Sequence, residues 1–156
     1  MSTLSLILGD TALAPRDKIL ALQRVLTALP SIEPFVTVKH HWAPGQYARE
    51  FRLAARPWGD ERQSLCIGKI HRHAHVNVVS KGRCTVYTED GLMEIEAPFT
   101  FVSQPGAKRV VLLHEDLVWT TVHANPTNTR DLAVIEADVI APDYEALGRA
   151  MALEAT

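Results

Sequence analysis

Between residues 35 and 125 the chain consists of short runs of alternating apolar and polar residues, separated by residues that favour turns. Alternation with a period of two residues predicts β-strands with one buried face. Asp90 and Gly91 lie between two such runs and predict a tight hairpin. Many short strands at this spacing predict a closed or sandwiched antiparallel architecture, such as a barrel or jelly roll. The predicted strands include residues 65–70, 73–79, 83–88, 92–96, 99–103, 108–113 and 118–123.

Helical patterns flank this β region on both sides. Residues 15–30 begin and end with proline and carry apolar residues at three- and four-residue spacing, which predicts a helix that packs against the outside of a sheet. Residues 129–154 predict one or two further helices. The short apolar segment Leu4–Leu8 is interpreted as a strand or a packed arm. Residues 1–156 are expected to form a single, mainly β domain.

The composition argues against several classes of function. A chain of 156 residues with a net charge of −2 gives no reason to expect binding to nucleic acid or to a membrane surface. No apolar run is long enough to span a bilayer. The two cysteines, Cys66 and Cys84, are too few for a disulfide framework or a thiolate zinc cluster. The chain is therefore expected to be cytoplasmic.

Three of the seven histidines occur at alternating positions within the predicted strand region. On a strand, His71, His73 and His75 would point to the same face, together with Asn77. Neutral imidazole is a common ligand of zinc, iron, nickel and copper, so this face is interpreted as a metal site. The alternative is the solvent-exposed polar face of an ordinary strand.

Several of these segments resemble cupins, a family of small double-stranded β-helices whose barrel often holds one divalent metal. The resemblance covers residues 35–125 and rests on a histidine-rich strand, a glycine that closes a hairpin, and a Pro-Gly turn that leads into another strand. A narrower set of phrases resembles a cupin-like group met in bacteriophage and prophage genomes, which has no settled activity. These phrases are Tyr47–Glu50, Gly68–His71, Ala97–Thr100, Ser103–Gly106, His114–Asp116 and Trp119–His123.

The chain departs from the cupin pattern at two ligand positions. Counted back from Gly82, the two histidines and the glutamate of the first cupin motif fall on Lys69, His71 and His75. The histidine of the second motif falls on Arg109. Cations therefore replace two of the usual ligands, and cations repel a metal. In the alternative register, His71 and His73 are the paired histidines.

A metal site in such a barrel needs another donor, and His123 at the end of the last strand is the best candidate; the alternative for His123 is a solvated strand terminus. His71, His75 and His123 would then form a three-histidine site with open positions, suited to zinc, iron, manganese or nickel. Arg109 either faces the barrel mouth, where it binds an anionic ligand, or forms a surface ion pair. Trp119 is interpreted as core or as the aromatic wall of a pocket, and Asn77 as a further ligand-binding candidate.

Two functions follow from these observations. The first is a small metal-binding, cupin-like protein of phage or prophage type that binds or acts on a small polar or anionic molecule. The second is a non-catalytic jelly-roll structural or assembly protein, for example a phage particle component, that works as a homo-oligomer. The sequence contains no hydrolase elbow, phosphate loop or dinucleotide-binding motif that would add a third.

Overall fold

The computed structural model describes residues 3–28, 36–55 and 65–154. Its helices are α1 (Thr3–Gly9), α2 (Pro15–Thr27), α3 (Leu132–Val139) and α4 (Tyr144–Glu154). Its strands are β1 (Val36–Ala43), β2 (Gly45–Leu53), β3 (Leu65–Ile67), β4 (Ile70–His71), β5 (His75–Lys81), β6 (Arg83–Thr88), β7 (Gly91–Glu96), β8 (Phe99–Ser103), β9 (Val110–Leu113), β10 (Leu117–Asn125) and β11 (Ile140–Ala141). None of the helices within the described residues is both long and apolar enough to cross a membrane.

The strands form two antiparallel sheets in a jelly-roll order. One sheet runs β1-β2-β10-β5-β8 and the other runs β3-β9-β6-β7, while β4 pairs with β11. Side chains from both larger sheets meet in one apolar core, so the two sheets lie face to face. The buried members of this core are Leu53, Val79, Cys84, Val86, Ile95, Val111, Leu113, Leu117 and Trp119. The mainly β jelly roll that the resemblance to cupins implies is confirmed.

Helix α2 packs against the four-stranded sheet, as its periodicity predicts. Ile19 and Leu22 are each only 2% exposed and belong to one cluster with Leu65 of β3 and Val110 of β9. Of the two interpretations of Leu4–Leu8, the strand is wrong, because these residues belong to helix α1. The packed arm agrees with the structure, since Ile7 and Leu8 of this helix pack against the α2 cluster. An apolar run this short fits either period.

Residues 65–81 contain three strands, where the sequence predicted two, at residues 65–70 and 73–79. β3 ends at Ile67, β4 contains only Ile70 and His71, and β5 begins at His75. Between β4 and β5 the backbone bends, because the amide of His71 donates to the carbonyl of Ala107 at 3.1 Å and the amide of Arg72 donates to Val139 at 2.8 Å. This bend decides which histidines share a face.

Helices α3 and α4 pack beside β4 and the beginning of β2. Ile135 and Val139 of α3 form a cluster with Tyr47, and Leu147 of α4 packs with Ile70 and Ala141. Asp131 caps α3, since its carboxylate accepts from the backbone amides of Ala133 and Val134. Helices within residues 129–154 are therefore present as predicted. Much of the loop predicted around residues 54–63 lies outside the described residues.

Candidate functional site

Three histidine rings from three strands meet inside the jelly roll. His71 ends β4, His75 begins β5 and His123 lies near the end of β10; all three are at most 7% exposed. Their ring centroids are 4.3 Å apart for His71 and His75, 4.9 Å for His75 and His123, and 5.7 Å for His71 and His123. The structure thus brings together the three histidines that the sequence singled out as a facial set, and we call them the histidine cluster.

Two buried nitrogens of the histidine cluster have no hydrogen-bond partner. They are Nδ1 of His71 and Nε2 of His75. Nδ1 of His75 lies 3.3 Å from the carbonyl oxygen of His73, which can only accept, so the proton of His75 sits on Nδ1 and Nε2 presents a lone pair. Nε2 of His123 lies 2.9 Å from the hydroxyl of Thr121. Two imidazoles of the cluster therefore each have a ring nitrogen that is free to bind a metal.

Burial keeps the cluster neutral. Desolvation is the largest cause that lowers the pKa of His71 to about 3, that of His75 to about 4 and that of His123 to about 3. The positive charges of Arg49 and Arg109 lower the pKa values of His71 and His75 further. At neutral pH all three rings are uncharged, which is the protonation state that binds a metal.

His73 does not join the other three. The expectation that it shares their face is wrong, because the chain bends between His71 and His75 instead of continuing as one strand. The side chain of His73 is 45% exposed, and its Nε2 lies 3.0 Å from the carbonyl oxygen of Asp138. The backbone carbonyl of His73 still contacts the cluster, at 3.3 Å from Nδ1 of His75.

The donor set of the histidine cluster fits a divalent transition metal, but the side chains as placed do not complete a metal site. With each nitrogen about 2.1 Å from a shared metal, the ring centroids of neighbouring imidazole ligands lie roughly 4 to 6 Å apart, and the observed separations fall in this range. Within the part of the chain that the structure describes, however, no three histidine, cysteine, aspartate or glutamate side chains are placed to hold a metal together.

A cavity of about 320 Å³ adjoins the cluster between the two sheets. His71 is the member of the cluster that lines it, and Thr121 lies on the same wall. Arg109 also lines the cavity and is 8% exposed, so it faces inward as the barrel-mouth interpretation predicts. Trp119 is both core and cavity wall, which combines the two interpretations made from the sequence.

Asn77 supports this wall from behind. It is fully buried, and its side-chain amide donates to the hydroxyl of Ser103 at 2.8 Å. Its carbonyl oxygen accepts from the indole nitrogen of Trp119 at 3.0 Å. Asn77 does not belong to the lining of the cavity. Its hydrogen bond instead fixes the orientation of Trp119, which does line the cavity.

Replacing Asn77 by leucine is expected to destabilise the fold by at least about 2 kcal/mol. The change leaves the indole nitrogen of Trp119 and the hydroxyl of Ser103 buried without their partner, and each unpaired group costs about 1 to 3 kcal/mol. Urea denaturation measures this difference. Ser80→Ala, an exposed change on the same strand, is the matched control and should alter stability by less than about 0.5 kcal/mol. An Asn77→Leu variant as stable as the parent would contradict this role.

Arg49 is the site residue that sequence reasoning missed. It lines the cavity from β2, and its Nε is buried without a hydrogen-bond partner. The available signal was its position, because Arg49 alternates in phase with Tyr47, Phe51 and Leu53, which point into the structure. A charged residue in the buried phase of a strand is the pattern that would have identified it.

The chain was compared with known proteins. No family model matches it, and neither does any curated protein. Among solved structures, KdgF from Halomonas sp. is 17% identical with a TM-score of 0.48, and the match covers 67% of this chain and 88% of that one. A cupin domain from Bordetella pertussis is 12% identical with a TM-score of 0.45 and coverage of 62% and 99%. The EutQ protein of Clostridium difficile is 8% identical with a TM-score of 0.45 and coverage of 58% and 68%.

Cupin-domain proteins are thus among the similar structures, and cupins are the family that the sequence motifs resemble. The narrower resemblance to phage and prophage proteins has no counterpart in these matches and stays a prediction.

Proposed function

We propose that this chain is a small metal-binding protein of cupin type. His71, His75 and His123 bind one divalent transition metal, and the adjoining cavity binds a small polar molecule. The observation that carries the proposal is the meeting of three buried, neutral imidazoles, two of which have a nitrogen without a partner. Buried polar atoms in native proteins are nearly always paired, and a bound metal would supply the partner that these two nitrogens lack.

The chemistry of the three imidazole ligands limits which metal ions could bind. Three imidazole nitrogens with open positions suit zinc, iron, manganese or nickel, whereas an oxygen-only set would suit magnesium or calcium. A metal held here would be a Lewis acid beside the cavity wall. One of the three proposed ligands, His75, is already oriented for metal binding. Its Nδ1–H faces the carbonyl oxygen of His73, and this contact leaves Nε2 free.

Elemental analysis of protein purified without a histidine tag tests the proposal. We expect close to one divalent metal per chain in the parent after exposure to zinc, iron, manganese and nickel salts. The His71→Ala/His75→Ala variant should hold none, because it removes both free nitrogens. The matched control is His41→Ala/His73→Ala, which removes two exposed histidines and should retain the metal. Equal metal contents in parent and His71→Ala/His75→Ala, or no metal in the parent, would contradict the proposal.

A structural role as a homo-oligomer is the alternative, and one feature supports it. Val76 of β5 and Val102 of the edge strand β8 are cross-strand partners that are 40% and 58% exposed. This alternative predicts an oligomer whose mass does not change when the cluster histidines are replaced. A monomer at micromolar concentration in light scattering would count against it.

A further inference from the structure

The cavity beside the histidine cluster is lined by one buried arginine, Arg109, one half-buried arginine, Arg49, and Lys69, and it is otherwise mostly apolar. Arg49 reaches it from β2, and Arg109 reaches it from the residue before β9. Most of the remaining wall is hydrophobic and includes Phe51, Leu53, Val111, Leu117 and Trp119. The volume of about 320 Å³ is at the lower end of the range found for small-molecule sites.

Both guanidinium groups have unused hydrogen-bond donors. Nε of Arg49 and Nη2 of Arg109 are buried without a partner. Ring faces give the arginines partial compensation: the guanidinium carbon of Arg109 lies 5.5 Å from the ring centroid of Trp119, and that of Arg49 lies 5.6 Å from the centroid of Phe51. Contact with a ring face stabilises the positive charge in part. It provides no hydrogen-bond acceptor for the N–H groups, which point outward in the plane of the guanidinium.

The anion that these arginines need does not come from the described part of the chain. No aspartate or glutamate is among the described residues that line the cavity. Arginines on the surface differ, since Arg52 pairs with Glu50 and Arg149 pairs with Glu145. Buried arginine is normally paired, because uncompensated charge in a water-poor interior is strongly unfavourable.

We infer that Arg49 and Arg109 bind the carboxylate of a small organic acid, whose apolar part lies against Phe51, Leu117 and Trp119. The planar guanidinium fork matches the two oxygens of a carboxylate, and the apolar walls match a hydrocarbon or aromatic body. A phosphate group is a poorer match, since it brings more charged oxygens than a carboxylate into a cavity whose wall is mostly hydrophobic.

This inference deepens the proposed function, because it names the class of molecule that the cavity binds beside His71. The anion site itself does not require the metal. The positive charges of both arginines contribute to the lowered pKa of His71, so the arginines and the histidine cluster interact electrostatically even when no anion is bound. A carboxylate would offset that charge at the wall that His71 shares with the arginines.

Isothermal titration calorimetry of metal-free protein with benzoate, hexanoate and inorganic phosphate tests the inference. We expect at least one carboxylate to bind, benzamide to bind about 30-fold or more weakly than benzoate if benzoate binds, and phosphate to bind more weakly than the carboxylate. No affinity for either carboxylate, tighter binding of phosphate, or equal binding of benzamide and benzoate would overturn it. Because the protein is metal-free, the result does not depend on the elemental analysis described above.

Two variants locate the site. Arg109→Met keeps the aliphatic stem and removes the charge, and it should weaken carboxylate binding by about 30-fold or more. It should also raise the melting temperature of the free protein, since an unpaired buried charge is removed. Arg52→Gln, which changes an exposed arginine on the same strand as Arg49, is the matched control and should bind as the parent does. An Arg109→Met variant that binds like the parent, with a lowered melting temperature, would assign Arg109 a structural role and overturn the inference.

Discussion

Metal-free protein is expected to lose stability steeply as the pH falls from about 6.5 towards 4. In the folded protein the pKa values of His71, His75 and His123 are lowered to about 3, 4 and 3, mainly by burial. In the unfolded chain these histidines titrate near their ordinary value of about 6.5. Below that pH the unfolded state binds protons that the folded state does not, so the free energy of unfolding decreases as the pH falls.

The expected slope is large because three buried groups act in the same direction. Each histidine that is protonated in the unfolded state and neutral in the folded state contributes about 1.4 kcal/mol per pH unit. The combined effect of the cluster is therefore about 4 kcal/mol per pH unit near pH 5. Above about pH 7.5 the histidines are neutral in both states, and this contribution to the pH dependence vanishes.

Urea denaturation of metal-free protein at pH values between 7.5 and 4.5, spaced by about half a unit, measures this slope. The His71→Gln/His75→Gln/His123→Gln variant should show a much flatter dependence between about pH 6.5 and 5, where few carboxylates titrate. His41→Gln removes an exposed histidine of β1 and should keep the parent's slope. A parent whose stability is constant across this range would show that the cluster is not buried in its neutral form.

Gly82→Ala is expected to destabilise the protein by about 3 kcal/mol or more. Gly82 joins β5 to β6 with φ at +92°, a region that residues with a Cβ rarely adopt. A Cβ at this position would lie 2.2 Å from the carbonyl oxygen of Asp116 and 3.1 Å from Cα of Leu117. Both contacts are with backbone, so the strain cannot be relieved by rotation of a side chain.

The contact of Gly82 also bears on the histidine cluster. Leu117 begins β10, and β10 pairs with β5 from Val118 opposite Lys81 to Val122 opposite Val76. The close approach at Gly82 therefore helps to set the pairing that carries His75 and His123 to the same place. Urea denaturation should show the loss of stability, and metal binding should weaken in parallel.

Gly45→Ala is the control that separates backbone strain from steric conflict. Gly45 also has a positive φ, at +74°, but a Cβ there would have no neighbour within 4 Å. This substitution should cost only about 1 kcal/mol. If Gly82→Ala were no more destabilising than Gly45→Ala, the close approach to Asp116 would not matter for the fold.

Much of the fold is predictable from the sequence, because local patterns determine it. The hairpin at Asp90 and Gly91 forms as predicted, with Thr88 opposite Gly91. The amphipathic pattern of residues 15–30 predicts helix α2 and the side that it buries. Leu4–Leu8 is different, since an apolar run this short fits both periods and only its contact with α2 decides.

The candidate site is less predictable, since it depends on contacts between distant segments. Alternation alone places His73 beside His71 and His75. In the structure the chain bends after His71, where the amides of His71 and Arg72 donate to Ala107 and Val139, and His73 turns outward. The arrival of His123 depends on the pairing of β10 with β5 and β2. Such pairings lie beyond the reach of periodicity.

The most direct test of the metal proposal is an anomalous difference map from crystals of the metal-loaded protein, recorded at the absorption edge of the bound metal. The proposal predicts one peak per chain, within about 2.2 Å of a nitrogen of each of His71, His75 and His123. A peak elsewhere on the chain, or none in crystals grown with excess metal, would contradict the proposal that the histidine cluster is a metal site.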